Sequence, residues 1–98
     1  MKIMIVDNNR LFREGIASLL ANQGDMEVVG ESDVSEEAVQ RIIDISPDII
    51  LMDTGLYREV GISIMKHTLL RRPDMQFIIL TTQETDEQFY DVISNGAK

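Results

Sequence analysis

Three short apolar runs recur along the chain, and each stops on a polar residue. Ile3-Met4-Ile5-Val6 ends on Asp7, Ile49-Ile50-Leu51-Met52 on Asp53, and Phe77-Ile78-Ile79-Leu80 on Thr81. Unbroken runs this short predict strands covered on both faces, as in a parallel sheet. Residues 26–32 form a weaker run, interrupted by Glu27 and Gly30, which suits an edge strand.

Helical spacing fills the intervals. Leu11, Phe12, Gly15, Ile16, Leu19 and Leu20 make one stripe, with Asn8 or Asn9 available as N-cap. Gly15 within it is expected to permit close packing. Ala38, Val39, Ile42, Ile43 and Ile45 make a second stripe, opened by Asp33 or Ser35. Ile62, Met65, Thr68 and Leu69 make a third; Phe89, Val92 and Ile93 make a fourth, closed by Asn95-Gly96. A breaker precedes each later strand: Gly24-Asp25, Pro47-Asp48 or Pro73-Asp74. The order βαβαβαβα implies right-handed crossovers and an open parallel sheet with helices on both faces. Residues 77–80 would then be a long apolar edge, an association hazard.

Composition narrows the function. The 98 residues suffice for one domain. Nine basic against 17 acidic residues give a net charge of -8, which argues against direct nucleic-acid binding. No apolar run approaches the roughly 20 residues of a membrane span, and the N-terminus turns polar too soon for a signal peptide. The absence of Cys excludes disulfides and thiol chemistry and points to the cytoplasm. His67 is the only histidine, which excludes multi-His metal sites.

The chemistry gathers at the strand tips. Ligands of open parallel sheets bind outside the carboxyl ends of the strands, so Asp7, Asp53 and Thr81 are expected to converge, with Asn8 beside them. Adjacent carboxylates repel unless a proton or cation intervenes. An all-oxygen set of Asp, Asn and backbone carbonyl suits Mg²⁺. Any strand that reaches the surface can end on a polar residue; three on consecutive core strands are harder to dismiss.

Val6-Asp7-Asn8, Leu51-Met52-Asp53, Gly61, Leu80-Thr81 and Asn95-Gly96-Ala97 stand in an order and spacing that resembles the receiver domain of bacterial response regulators. Residues 9–15, Asn-Arg-Leu-Phe-Arg-Glu-Gly, with Val28-Val29-Gly30-Glu31, resemble the branch joined to LuxR-type helix-turn-helix domains. The resemblance implies a flavodoxin-like α/β fold with strand order 2-1-3-4 over these residues. It implies Asp53 as phosphoacceptor from a histidine kinase. Asp7, Asn8, Asp53 and the Gly55 carbonyl would be the Mg²⁺ ligands, and Thr81 the hydroxyl that senses the phosphoryl group. Regulation of a C-terminal DNA-binding domain outside this chain is also implied, and the protein is not expected to be an enzyme.

The sequence departs from the family pattern at three places. Asn8 stands where an Asp usually ligates the metal, so weak Mg²⁺ binding is expected. Tyr57 replaces the usual Pro. The fifth strand, aromatic switch residue, Lys and fifth helix of the family lie beyond Lys98, so residues 1–98 read as a receiver truncated before its fifth strand. Self-association through the exposed fourth strand or sheet face is the expected consequence. The alternative reading is a pseudo-receiver, a protein-interaction module without phosphorylation. A Mg²⁺-dependent phosphohydrolase fits less well, because its usual second Asp is replaced by Gly55. His67 reads as a solvated helix residue, Lys66, Arg71 and Arg72 as helix-end charges, and Glu84, Asp86 and Glu87 as helix-start charges. The six Met residues read as packing.

Overall fold

The computed structural model describes residues 1–55 and 57–80. The elements alternate as expected: β1 (Lys2–Asp7), α1 (Arg10–Leu20), β2 (Glu27–Ser32), α2 (Glu37–Ile45), β3 (Ile49–Asp53), α3 (Arg58–Arg71) and β4 (Gln76–Ile79). The strands form one parallel sheet in the order β2-β1-β3-β4. The fourth helical pattern and Thr81 lie outside the described residues.

Alternate side chains of each apolar run enter different layers. Both sets are buried in β1, whereas β3 fully buries only Ile50 and Met52 and β4 only Phe77, with Ile78 exposed. Met4, Val6, Ile50, Met52 and Phe77 pack with Ala38 and Ile42 of α2 and Ile64 and Met65 of α3. Ile3 and Ile5 are also buried, on the opposite face, where α1 lies against β1 and β2. Four of the six methionines (Met4, Met52, Met65 and Met75) are buried core residues.

The weaker run is an edge, as its composition suggested. Its pairing with β1 shifts register between Ile3 and Met4. Gly30 faces Ile45, whose Cδ1 would stand 2.5 Å from any added Cβ.

Four local expectations need correction. In α1, Leu11 and Leu19 are 79% and 70% exposed, and no residue of the helix is fully buried. The inward arc is Arg13, Ile16, Ala17 and Leu20, all half-buried. The apolar stripe is broader than the strip of sheet that α1 covers, so half of it remains outside. Gly15 lies on that outer half, with no atom within 4 Å of an added Cβ, so it permits no close approach. The α2 N-cap is Glu36, without a side-chain bond, because the Ser35 hydroxyl is directed to Asp33 Oδ1 at 2.8 Å. In α3 the buried set is Gly61, Ile64, Met65 and Thr68; Ile62 and Leu69 flank the core half-buried.

Candidate functional site

Asp7 and Asp53 are direct partners in the β1–β3 ladder. In a parallel pair, partnered residues project from the same face, so the two carboxyl groups stand side by side where both strands end. Together with Asn8, Gly55 and Tyr57 they line an open cleft.

Local hydrogen bonds set their orientation. Asp7 Oδ1 accepts the Asn9 N–H at 2.8 Å, and Asp53 Oδ1 accepts the Gly55 N–H at 3.0 Å. Each carboxylate therefore keeps a second oxygen for the cleft. Gly55 sits at φ +54°, the left-handed region where a side chain would be strained. Asn9, rather than Asn8, caps α1 by accepting the Phe12 N–H at 3.0 Å.

Asp7 is 6% exposed. Burial pushes its carboxyl above the usual range, and the neighbouring Asp53 charge adds to the rise. The Asn9 N–H and the Arg13 guanidinium oppose it. Arg13 was not singled out in the sequence as a site residue. Its Nη1 donates to the Asp7 carbonyl and its Nε to Glu31 Oε1 at 3.3 Å, which ties α1 and β2 to the tip of β1. A basic residue on the inward arc of an amphipathic helix was the available signal.

Thr54 was also missed. It is 2% exposed, and its Oγ1 has no hydrogen-bond partner among the described residues. Its methyl group lies against Gly61, where an added Cβ would fall 2.1 Å from Thr54 Cγ2. The loop after Asp53 is thus seated directly on the first turns of α3.

Asn8 is placed differently from Asp7 and Asp53. Its Oδ1 accepts the Val34 N–H at 2.7 Å. His67 is largely exposed, with Nδ1 3.3 Å from Ser63 Oγ and 3.5 Å from Glu36 Oε2, in keeping with a solvated helix position. Arg72 bonds Ser46 Oγ at 2.6 Å and lies 3.5 Å from Asp74, more than a bare helix-end charge would need.

The family model for the response regulator receiver domain matches residues 3–98. This chain belongs to that family. It is 34% identical over 97 residues to the transcriptional regulatory protein LiaR of Bacillus subtilis, covering 99% of this chain and 46% of that protein. It is also 34% identical to the oxygen regulatory protein NreC of Staphylococcus aureus, covering 100% of this chain and 46% of the relative. The chain thus spans about half the length of the curated relatives it matches. A LuxR-family response regulator from an Aurantimonas species superimposes with TM-score 0.88 at 27% identity, over 98% of this chain and 69% of that one. The response regulator domain of Thermotoga maritima CheB gives 0.83 at 27% identity, over 99% and 73%. Receiver domain, two-component response regulator and transcription regulation therefore describe the chain's family. Among the described residues, no helix is long and apolar enough to cross a membrane.

Receivers of this family generally bind Mg²⁺ at the phosphorylation site. The donor set of this chain fits such an ion sparingly. Asp7 and Asp53 each retain an oxygen, and no group of three His, Asp or Glu is gathered for a metal among the described residues. Mg²⁺ commonly rests on one or two carboxylates and fills its shell with water and phosphate oxygens, so two carboxylates are enough for weak binding.

Proposed function

We propose that Asp53 is the phosphoacceptor of a two-component receiver that controls an output domain elsewhere in a longer regulator. The in-register pairing of Asp7 with Asp53, at the carboxyl ends of adjacent parallel strands and open to a cleft, carries this reading.

The donor is a histidine kinase carrying a phosphohistidine. An oxygen of Asp53 attacks phosphorus, the P–N bond to the donor imidazole breaks, and an acyl phosphate forms as the imidazole departs. The Gly55 N–H on Asp53 Oδ1 holds the carboxylate so that its other oxygen faces the cleft. Mg²⁺, when bound, would neutralise the charge gathered on the carboxylates and the phosphoryl oxygens. Asp7, Asp53 and the Gly55 carbonyl would hold it. Thr81 is assigned the hydroxyl that bonds the transferred group.

The output is a C-terminal DNA-binding domain in the full-length protein, and this chain works as a cytoplasmic signalling switch rather than as an enzyme. Self-association through β4 or the sheet face beside α1 belongs to the same reading. Ile78 is 39% exposed on β4, which is an edge strand among the described residues. One observation favours the pseudo-receiver alternative: the Asn8 oxygen is already engaged by Val34.

Incubation with a small acyl-phosphate donor and Mg²⁺, followed by intact mass, decides between them. The parent should gain one phosphoryl group, Asp53→Asn none, and Asp48→Asn the same as the parent. Asp48 is a control at the opposite end of β3, where its Oδ2 accepts the Lys2 N–H at 2.7 Å. Labelling that persists in Asp53→Asn refutes the assignment. No labelling of the parent supports the pseudo-receiver.

A further inference from the structure

We infer that Asn8 is a positioning residue, whose side-chain oxygen fastens the segment before α2 to the carboxyl end of β1 and does not serve as a cation ligand. The chemistry of the donor identifies the atom. A backbone N–H can only donate, so the Asn8 atom 2.7 Å from Val34 N must be the oxygen.

Val34 gives that bond its importance. It is 6% exposed and belongs to the core cluster with Ala38 and Ile42. Its N–H is therefore a group that needs a partner. Two side-chain hydrogen bonds of this segment are internal: Ser32 Oγ donates to the Asp33 carbonyl at 2.9 Å and Ser35 Oγ to Asp33 Oδ1 at 2.8 Å. Neither reaches β1. Asn8 makes the cross-link, over 26 positions of sequence.

Asp7, Asn8 and Asp53 follow one pattern, in which the first side-chain oxygen accepts a backbone N–H. In the two aspartates the second atom is another oxygen. In Asn8 it is an amide nitrogen, a donor that suits a phosphoryl oxygen and cannot ligate Mg²⁺. The cation proposed for the cleft, on which this part of the inference rests, would thus be held without position 8.

Amide exchange at Val34, with and without Mg²⁺, tests the assignment. Val34 should stay protected in the parent at saturating Mg²⁺, because the ion makes no demand on the Asn8 oxygen. Asn8→Ala should speed its exchange about tenfold relative to β1 amides, the effect of losing one buried hydrogen bond. Asn8→Asp retains an acceptor for Val34, so protection should persist. Its new second oxygen should also tighten Mg²⁺ about tenfold. Loss of Val34 protection on adding Mg²⁺ to the parent overturns the inference, as does unchanged Val34 exchange in Asn8→Ala. The parent and Asn8→Asp measurements stand even if Asn8→Ala fails to fold. Failure of the phosphoacceptor reading would appear separately, as unaltered labelling of Asp53→Asn.

Discussion

The contact between Gly61 and Thr54 is where the packing of α3 meets the loop that carries Asp53. A Cβ on Gly61 would lie 2.1 Å from Thr54 Cγ2, 3.2 Å from Thr54 Cβ and 3.7 Å from Met52 Cε. The first distance is well inside the ~3.5 Å of an ordinary carbon contact. Thr54 is β-branched and buried, so its methyl cannot swing aside as the end of a long chain would. Overpacking of this kind costs about 1–3 kcal/mol, and the upper end applies where the obstacle is stiff. Helix propensity works the other way and favours Ala over Gly by about 1 kcal/mol. Gly61→Ala should therefore lose about 2 kcal/mol, a large part of a net stability of about 5–15 kcal/mol.

Thr54→Ser removes the obstructing methyl and should lose about 1 kcal/mol on its own. In that background the added methyl of Gly61→Ala keeps the 3.2 Å approach to the Cβ of residue 54 and the ordinary 3.7 Å contact with Met52 Cε, and should be close to neutral. Urea unfolding of the four proteins, followed by far-UV circular dichroism, gives the coupling. A value of about 2 kcal/mol is expected, and additivity within about 0.5 kcal/mol would refute the reasoning. The same cycle should appear in phosphorylation. Gly61→Ala should slow labelling of Asp53 by displacing residues 53–55, and Thr54→Ser should restore it.

Other expectations follow from single groups. Thr68 is fully buried and its Oγ1 is unpartnered among the described residues, so Thr68→Val should stabilise the fold by about 1 kcal/mol, and a lowered unfolding midpoint would contradict this. The Asp7 carboxyl is raised above its unfolded value chiefly by burial, so the folded state binds its proton more tightly and is penalised once pH rises through that range. In metal-free buffer Asp7→Asn should thus become more stabilising, relative to the parent, from acid toward neutral pH; a pH series of unfolding midpoints showing the opposite slope would refute it. If copies associate through β4 and the open sheet face, Ile78→Lys should weaken association about tenfold or more in a light-scattering concentration series. A parent chain that stays monomeric at tens of micromolar would remove the premise.

What could be read from the sequence alone was governed by local spacing. Unbroken apolar runs of four made β1, β3 and β4 legible as strands, and the interruptions at Glu27 and Gly30 marked β2 as an edge; full cover on both faces holds for β1, while Ile78 of β4 is exposed. Parallel strands must point the same way, so acidic residues at their ends were bound to gather at one edge of the sheet, and Asp7 and Asp53 do. The strand order came from resemblance to a known family, because periodicity alone does not say which strands are neighbours.

Tertiary structure decided the rest. Which half of the α1 stripe is buried depends on where the helix rests on the sheet, and Leu11 and Leu19 carry the same apolar side chain as the half-buried Leu20. Thr54 and Arg13 gained their places from partners seven and more residues away: Gly61 for one, Glu31 for the other. Asn8 shows the division most clearly. Its position beside Asp7 was visible in the sequence and suggested a metal ligand. Which atom turns toward which partner was settled by the buried Val34 N–H, a backbone donor that must be satisfied and that only the folded chain brings within 2.7 Å.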